Sequence, residues 1–238
     1  MRKLIWLEWR KYRVGRYVGA AVVLASFLAL FVFGMAFFGI ADDPATGVPD
    51  AAPGMLGISA AVEFLTNCVS FVFTGVLLAT VVVGAYRNGT MALMFTYPIS
   101  RRRILFSKLA AVWLFQFGAL AFMKLSVYGC LALGGRVYGG SSFPLDFDLG
   151  GGAFYGSLFL GAALVVTVGF LSLFAGLLAK SSKATVVASF VLVFLTQGSV
   201  GDLSLAGNSV FFLGLAFLAF LLAAGSVAAA GKRDVAGK

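Results

Sequence analysis

Six long apolar runs, separated by short polar breaks, constrain this chain more than any other feature. They span roughly 17–40, 61–86, 104–133, 151–179, 184–201 and 209–230. A helix rises about 1.5 Å per residue and bilayer hydrocarbon is about 30 Å thick, so about 20 residues suffice to cross it. Five of the runs meet that length. The run 184–201 is marginal, and a partial or re-entrant turn is expected near Gly198 and Gly201. Lipid cannot satisfy exposed backbone groups, so the runs must be helical. A transmembrane β-barrel would need strictly alternating segments of about 10 residues, and these are absent.

Composition agrees. The chain is 61% hydrophobic and 11% charged, with mean hydropathy +1.01. A soluble domain is about half apolar and about a quarter charged. The expected fold is therefore an all-α polytopic membrane protein. It would have six transmembrane helices after an amphipathic interfacial N-terminal helix. The latter is residues 1–16, where Ile5, Trp9 and Tyr12 recur at helical spacing beside Trp6, with basic residues between them. Tryptophan at the interface and cations toward water suit a helix lying in the headgroups. The competing reading is the charged region of a secretory signal, but the next apolar run is too long for one.

The net charge of +9 does not point to nucleic acid, because the basic residues flank the apolar runs. One side of the layout receives the N-terminus, the 87–103 loop with Lys108, the 180–183 turn and the 231–238 tail. That side carries all of the 18 Lys and Arg except Lys124 and Arg136. The other side holds Asp42, Asp43, Asp50, Glu63, Asp146, Asp148 and Asp202. By the positive-inside rule the basic side is cytoplasmic, and both termini lie there. Cys68 and Cys130 fall within apolar runs and read as buried free thiols.

The second cytoplasmic link reads YRNGTMALMFTYPISRRRILFSKL over 86–109. Asn88 and Gly89 permit a turn, and Thr90 can cap a helix start. Met91, Ala92, Leu93, Met94 and Phe95 form an apolar segment too short to span. Tyr97 and Pro98 close it, and Ser100 can cap the third span. A short Met-rich apolar helix held between anchored spans has the character of a docking surface.

This stretch resembles the cytoplasmic loop between the second and third spans of ABC-2 type permeases. The match runs through Arg87-Asn88-Gly89-Thr90, Thr96-Tyr97-Pro98-Ile99-Ser100-Arg101 and Lys108-Leu109. The layout of basic interfacial helix, six spans and cytoplasmic ends is similar too. The resemblance implies that Thr90 to Phe95 form a coupling helix docked on a cytoplasmic ABC ATPase. It also implies that two permease subunits pair, as homo- or heterodimer, with two ATPases, and that ATP binding drives export. ATP and Mg would sit on the partner, and this chain would bind no cofactor. Many relatives carry an acidic residue before the loop arginine, where this chain has Ala85-Tyr86, so a salt bridge there is in doubt.

The residues agree that the energy source lies elsewhere. The nearest approach to a phosphate-binding loop, Gly225 to Arg233, has Ser226 for the first glycine and Arg233 for the Ser/Thr. With no histidine, an H-E-x-x-H protease and a Ser–His dyad are excluded. Gly201-Asp202 has no second intramembrane aspartate to share a proton with. No metal site or catalytic residue is expected.

Four polar residues within the runs are candidates for a translocation path: Lys124, Glu63, Asn67 and Gln116. A lysine in hydrocarbon costs about 2.5–3.5 kcal/mol on insertion scales, so it must find a cavity, a partner or the interface. Lys124 either lines the path or pairs with Glu63, or it snorkels to the outer headgroups. Asn67 and Gln116 can hydrogen-bond between helices. Small residues recur at Gly15/Gly19, Gly152/Gly156 and Ser172/Gly176, spacings that permit close helix approach. Nearly uncharged spans favour an amphiphilic substrate such as a peptide antibiotic, lipid or drug. The alternative class is a non-ATP membrane carrier or scaffold, although ion-driven carriers usually keep acids or histidines mid-membrane.

Overall fold

A computed structural model describes residues 14–38, 58–84, 101–138, 147, 149–179, 181–197, 199–200, 203–204 and 209–235. These residues are helical throughout, apart from short turns and one two-residue ladder. In chain order the helices are α1 (Val14–Phe37), α2 (Ile58–Leu78, continued by a π-helical turn Ala79–Val83), α3 (Arg101–Tyr138), α4 (Gly152–Gly169), α5 (Leu171–Leu178), α6 (Ser182–Gln197) and α7 (Ser209–Val235). Residues 1–13 of the expected interfacial helix lie outside the described residues. Val14 to Arg16 already belong to α1, so the boundary expected at residue 17 falls inside a helix.

Every apolar run contains helix, but the crossings are not equivalent. Four segments have the length and apolar character to span a bilayer: Gly15–Phe37, Ile58–Val83, Leu105–Tyr138 and Gly152–Leu178. The other two apolar helical stretches, Ser182–Gln197 and Val210–Gly225, are shorter. The run 184–201 thus yields a 16-residue helix, about 24 Å long at 1.5 Å per residue. Beyond it, β1 (Ser199–Val200) pairs antiparallel with β2 (Leu203–Ser204), with Val200 opposite Leu203. The chain thus reverses between Val200 and Leu203, while Gly198 and Gly201, where a turn was expected, lie outside the described residues.

Side-chain contacts give the directions of α1 to α4. The Tyr17 hydroxyl donates to Thr80 Oγ1 at 3.3 Å, joining the start of α1 to the end of α2. Phe37 stacks edge-on against Tyr138 with ring centroids 5.8 Å apart, so α1 and α3 run parallel. Trp113 Nε1 donates to Thr167 Oγ1 at 3.3 Å, and Tyr128 meets Phe154 at 5.0 Å, so α3 and α4 run antiparallel. The starts of α1 and α3 and the end of α2 therefore share one end of the bundle, with Arg16 and Arg101. We call this the basic end and its opposite the far end.

α2 occupies the centre. It packs against α1, α3, α4 and α6, and Val62, Phe71, Leu78 and Val82 are fully buried. Leu120, Met123, Val127 and Leu131 of α3 and Ala162 and Val166 of α4 complete the core. The outer faces remain apolar: Val23, Phe27 and Leu30 on α1, Val191 and Phe194 on α6, Phe217 and Phe220 on α7. Water would penalise such a surface, whereas lipid makes it neutral.

Two helices are irregular. α2 ends in the π-helical turn. The fourth run, expected as one helix over 151–179, breaks at Phe170, whose N–H donates to Thr167 O at 3.1 Å. Ser172 Oγ donates to Gly169 O at 2.8 Å beside that break. Close helix approaches cluster on the same elements. A Cβ on Gly169 would stand 3.0 Å from Thr74 Cγ2, and one on Gly176 would meet the Thr185 side chain and come within 3.2 Å of Val83. Gly75 abuts Ser189 in the same way. Of the expected small-residue pairs, only Ser172/Gly176 lies at a contact. A Cβ on Gly15, Gly19, Gly152 or Gly156 would meet no described atom within 4 Å, because these glycines face outward from peripheral passes.

Candidate functional site

On a helix, positions four, seven and eleven residues apart share a face. The stripe Glu63, Asn67, Ser70 and Thr74 obeys that spacing on α2; Glu63 and Ser70 meet α3, and Thr74 abuts Gly169 of α4. Opposite Glu63 and Ser70 stand Lys124 and Gln116.

Lys124 is fully buried, and its ammonium is paired with the Glu63 carboxylate. The Glu63 side chain keeps 42% exposure. The pairing of Lys124 with Glu63 raised by the sequence is present, and its buried side chain does not reach the surface as a snorkelling lysine would. A lone ammonium in this position would be costly, and the carboxylate offsets that cost. Because Glu63 stays partly open, the pair links the bundle interior to a surface near the far end.

Two helical turns along α3, Gln116 is also fully buried. Its Nε2 donates to Ser70 O at 3.2 Å and lies 3.0 Å from Ser70 Oγ. A backbone carbonyl only accepts, so the amide nitrogen must face it and the orientation of the carboxamide follows. Gln116 Oε1 then points away, with no hydrogen-bond partner. Asn67, 9% exposed, likewise leaves Oδ1 without a partner. Thr66 and Thr74 are quiet by comparison, donating to Val62 O and Ser70 O of their own helix at 2.7 and 2.8 Å. The four intramembrane candidates therefore lie on one α2–α3 seam. Ser70 belongs with them and was missed, although its place on the stripe is readable from its spacing.

Asn88, Gly89, Thr90, Met91, Leu93, Met94, Phe95, Tyr97 and Pro98 lie outside the described residues. What the structure gives is the framework flanking them: the α2 π-turn on one side and the start of α3 on the other. Beside that turn a cleft of about 540 Å³ opens between α2 and α6, lined by Val76, Ala79, Thr80, Lys183 and Val186 among others. Among the described residues no cluster of His, Cys, Asp or Glu could hold a metal.

Apolar helices long enough to cross a bilayer, apolar outer faces, and an ion pair and carboxamides buried between helices together define a multi-pass helical membrane protein. The family is equally clear. Residues 4–196 match the family described as "ABC-2 family transporter protein", and this chain belongs to that family. ABC-2 membrane chains are the permease component of their transporters and work with an ABC ATPase. The chain is also 28% identical over 225 residues to YcbO, an uncharacterized protein of Bacillus subtilis (strain 168), covering 91% of this chain and 92% of YcbO. No solved structure matches it.

Proposed function

We propose that this chain is the membrane-spanning subunit of an ATP-driven exporter. In this reading it crosses the membrane six times with both termini cytoplasmic, pairs with a second permease subunit, and is coupled through residues 88–97 to a separate ATPase that holds ATP and Mg. The single observation that carries the reading is the family match across most of the chain. The buried polar seam supports it, because charged and amide groups within an apolar bundle are costly and mark paths or relays. Glu63, Asn67, Gln116 and Lys124 are the residues proposed to line the path. Spans with little net charge favour an amphiphilic cargo such as a peptide antibiotic, a lipid or a drug.

Co-purification tests the coupling. The full chain is expressed in turn with each ABC ATPase of its own genome, and the complex is isolated from detergent. Leu93→Asp and Met94→Asp each place a charge on the proposed docking helix and are expected to release the ATPase while the permease stays in the membrane. Undiminished binding after both changes excludes 88–97 as the docking element.

A further inference from the structure

We propose that the α2–α3 seam is a hydrated binding site for an uncharged hydrogen-bond-donating group, a hydroxyl or amide N–H of the transported molecule, with water taking its place between cargoes.

The unsatisfied atoms in the seam are of one kind. Gln116 Oε1 and Asn67 Oδ1 are both carbonyl acceptors, each on a residue more than nine-tenths buried. Leaving such an acceptor dry is costly, because it gives up its hydrogen bond to water and gains none in return. The orientation of Gln116 is held by Ser70, so its oxygen cannot be satisfied by turning the amide over. Both acceptors therefore call for a donor that the described residues do not supply. Buried polar groups of this sort ordinarily hold water.

Charge sets the class of ligand. Lys124 and Glu63 neutralise each other, so the seam carries no spare charge among its described groups. An ion entering it would lose hydration without meeting a counter-charge, whereas a hydroxyl or amide would lose little. Glu63 is the exposed member of the pair and marks the entrance, near the far end.

The choice of a transported molecule as occupant rests on the exporter reading. The wetness and selectivity of the seam do not, and neither readout below involves an ATPase. Asn67→Cys is made in the full chain with Cys68→Ala and Cys130→Ala, and membrane vesicles are treated with three methanethiosulfonates bearing a hydroxyethyl, an ammonium or a sulfonate group. Rates are normalised to Tyr138→Cys, an exposed position at the same end of the bundle as Glu63, and compared with Phe27→Cys on an outward apolar face. The hydroxyethyl reagent is expected to modify Asn67→Cys about tenfold faster than either charged reagent, reflecting the cost of burying charge. It is also expected to outpace its own reaction at Phe27→Cys, where an apolar setting suppresses the thiolate. Equal rates at Asn67→Cys and Phe27→Cys, or charged reagents as fast as the neutral one, overturn the proposal. Asn67→Leu gives a second readout. A dry orphan would be relieved by leucine and the melting temperature would rise, whereas a satisfied acceptor predicts a fall. A rise overturns the proposal.

Discussion

Removing one member of the Lys124–Glu63 pair should have unequal consequences. Glu63→Gln leaves an ammonium sealed in the bundle with no carboxylate, and breaking a buried pair in that way costs about 3 kcal/mol. Lys124→Met leaves a carboxylate that already reaches the surface, so the loss should be nearer about 1 kcal/mol. The double variant Glu63→Gln/Lys124→Met should recover much of the larger loss, since no charge remains buried. Thermal unfolding of the detergent-purified chain, followed for all three variants, checks the order. Equal losses in the two single variants would contradict the asymmetric burial. The sequence already named both partners, because a mid-span lysine needs a counter-charge. It could not say that Asn67 and Gln116 would be left with bare oxygens, since that depends on where each amide turns.

Elements packed through glycine should tolerate added bulk very differently from elements facing outward. Gly75→Ala drives a methyl into Ser189, and Gly176→Ala drives one into Thr185 and Val83. Overpacking of this kind costs about 1–3 kcal/mol. Gly161→Ala and Gly214→Ala meet no described atom within 4 Å, and in a helix interior such a change is worth up to about 1 kcal/mol of stabilisation. Melting temperatures of the four variants should therefore split by sign. These contacts were not legible beforehand, because four-residue spacing of small residues selected Gly15/Gly19 and Gly152/Gly156 as readily as Ser172/Gly176. Spacing shows which residues share a helix face, but not which face meets a neighbour. The interruption at Phe170 and the π-turn at Ala79–Val83 were equally hidden: both lie in uniformly apolar sequence without proline. Helix existence, by contrast, was readable from apolar length alone, and all six runs contain a helix.

At the scale of the whole molecule, the alternating direction of the passes gathers the basic residues at one end. Arg16 opens α1, Arg101 opens α3 and Lys183 lies in the first turn of α6. α3, at 38 residues, is about 57 Å long by its rise and must project beyond about 30 Å of hydrocarbon. If the basic end faces the cytoplasm, a cysteine there is shielded from reagents outside the cell. Tyr138→Cys at the far end and Lys183→Cys at the basic end, each made with Cys68→Ala and Cys130→Ala, test this in intact cells with a bilayer-impermeant maleimide. Both native positions are exposed, so neither site should be hidden by packing. Tyr138→Cys is expected to label at once, and Lys183→Cys only after the cells are permeabilised. The reverse pattern would put the 85–100 segment, which joins the basic ends of α2 and α3, outside the cell. It would then be out of reach of any cytoplasmic ATPase, and the exporter reading would lose its means of coupling. Labelling of both positions in intact cells would instead mean that one of the intervening apolar segments does not cross. The 16-residue α6 is not among them by itself, since Lys183 precedes its span. Such a result would therefore point to the broken α4–α5 run.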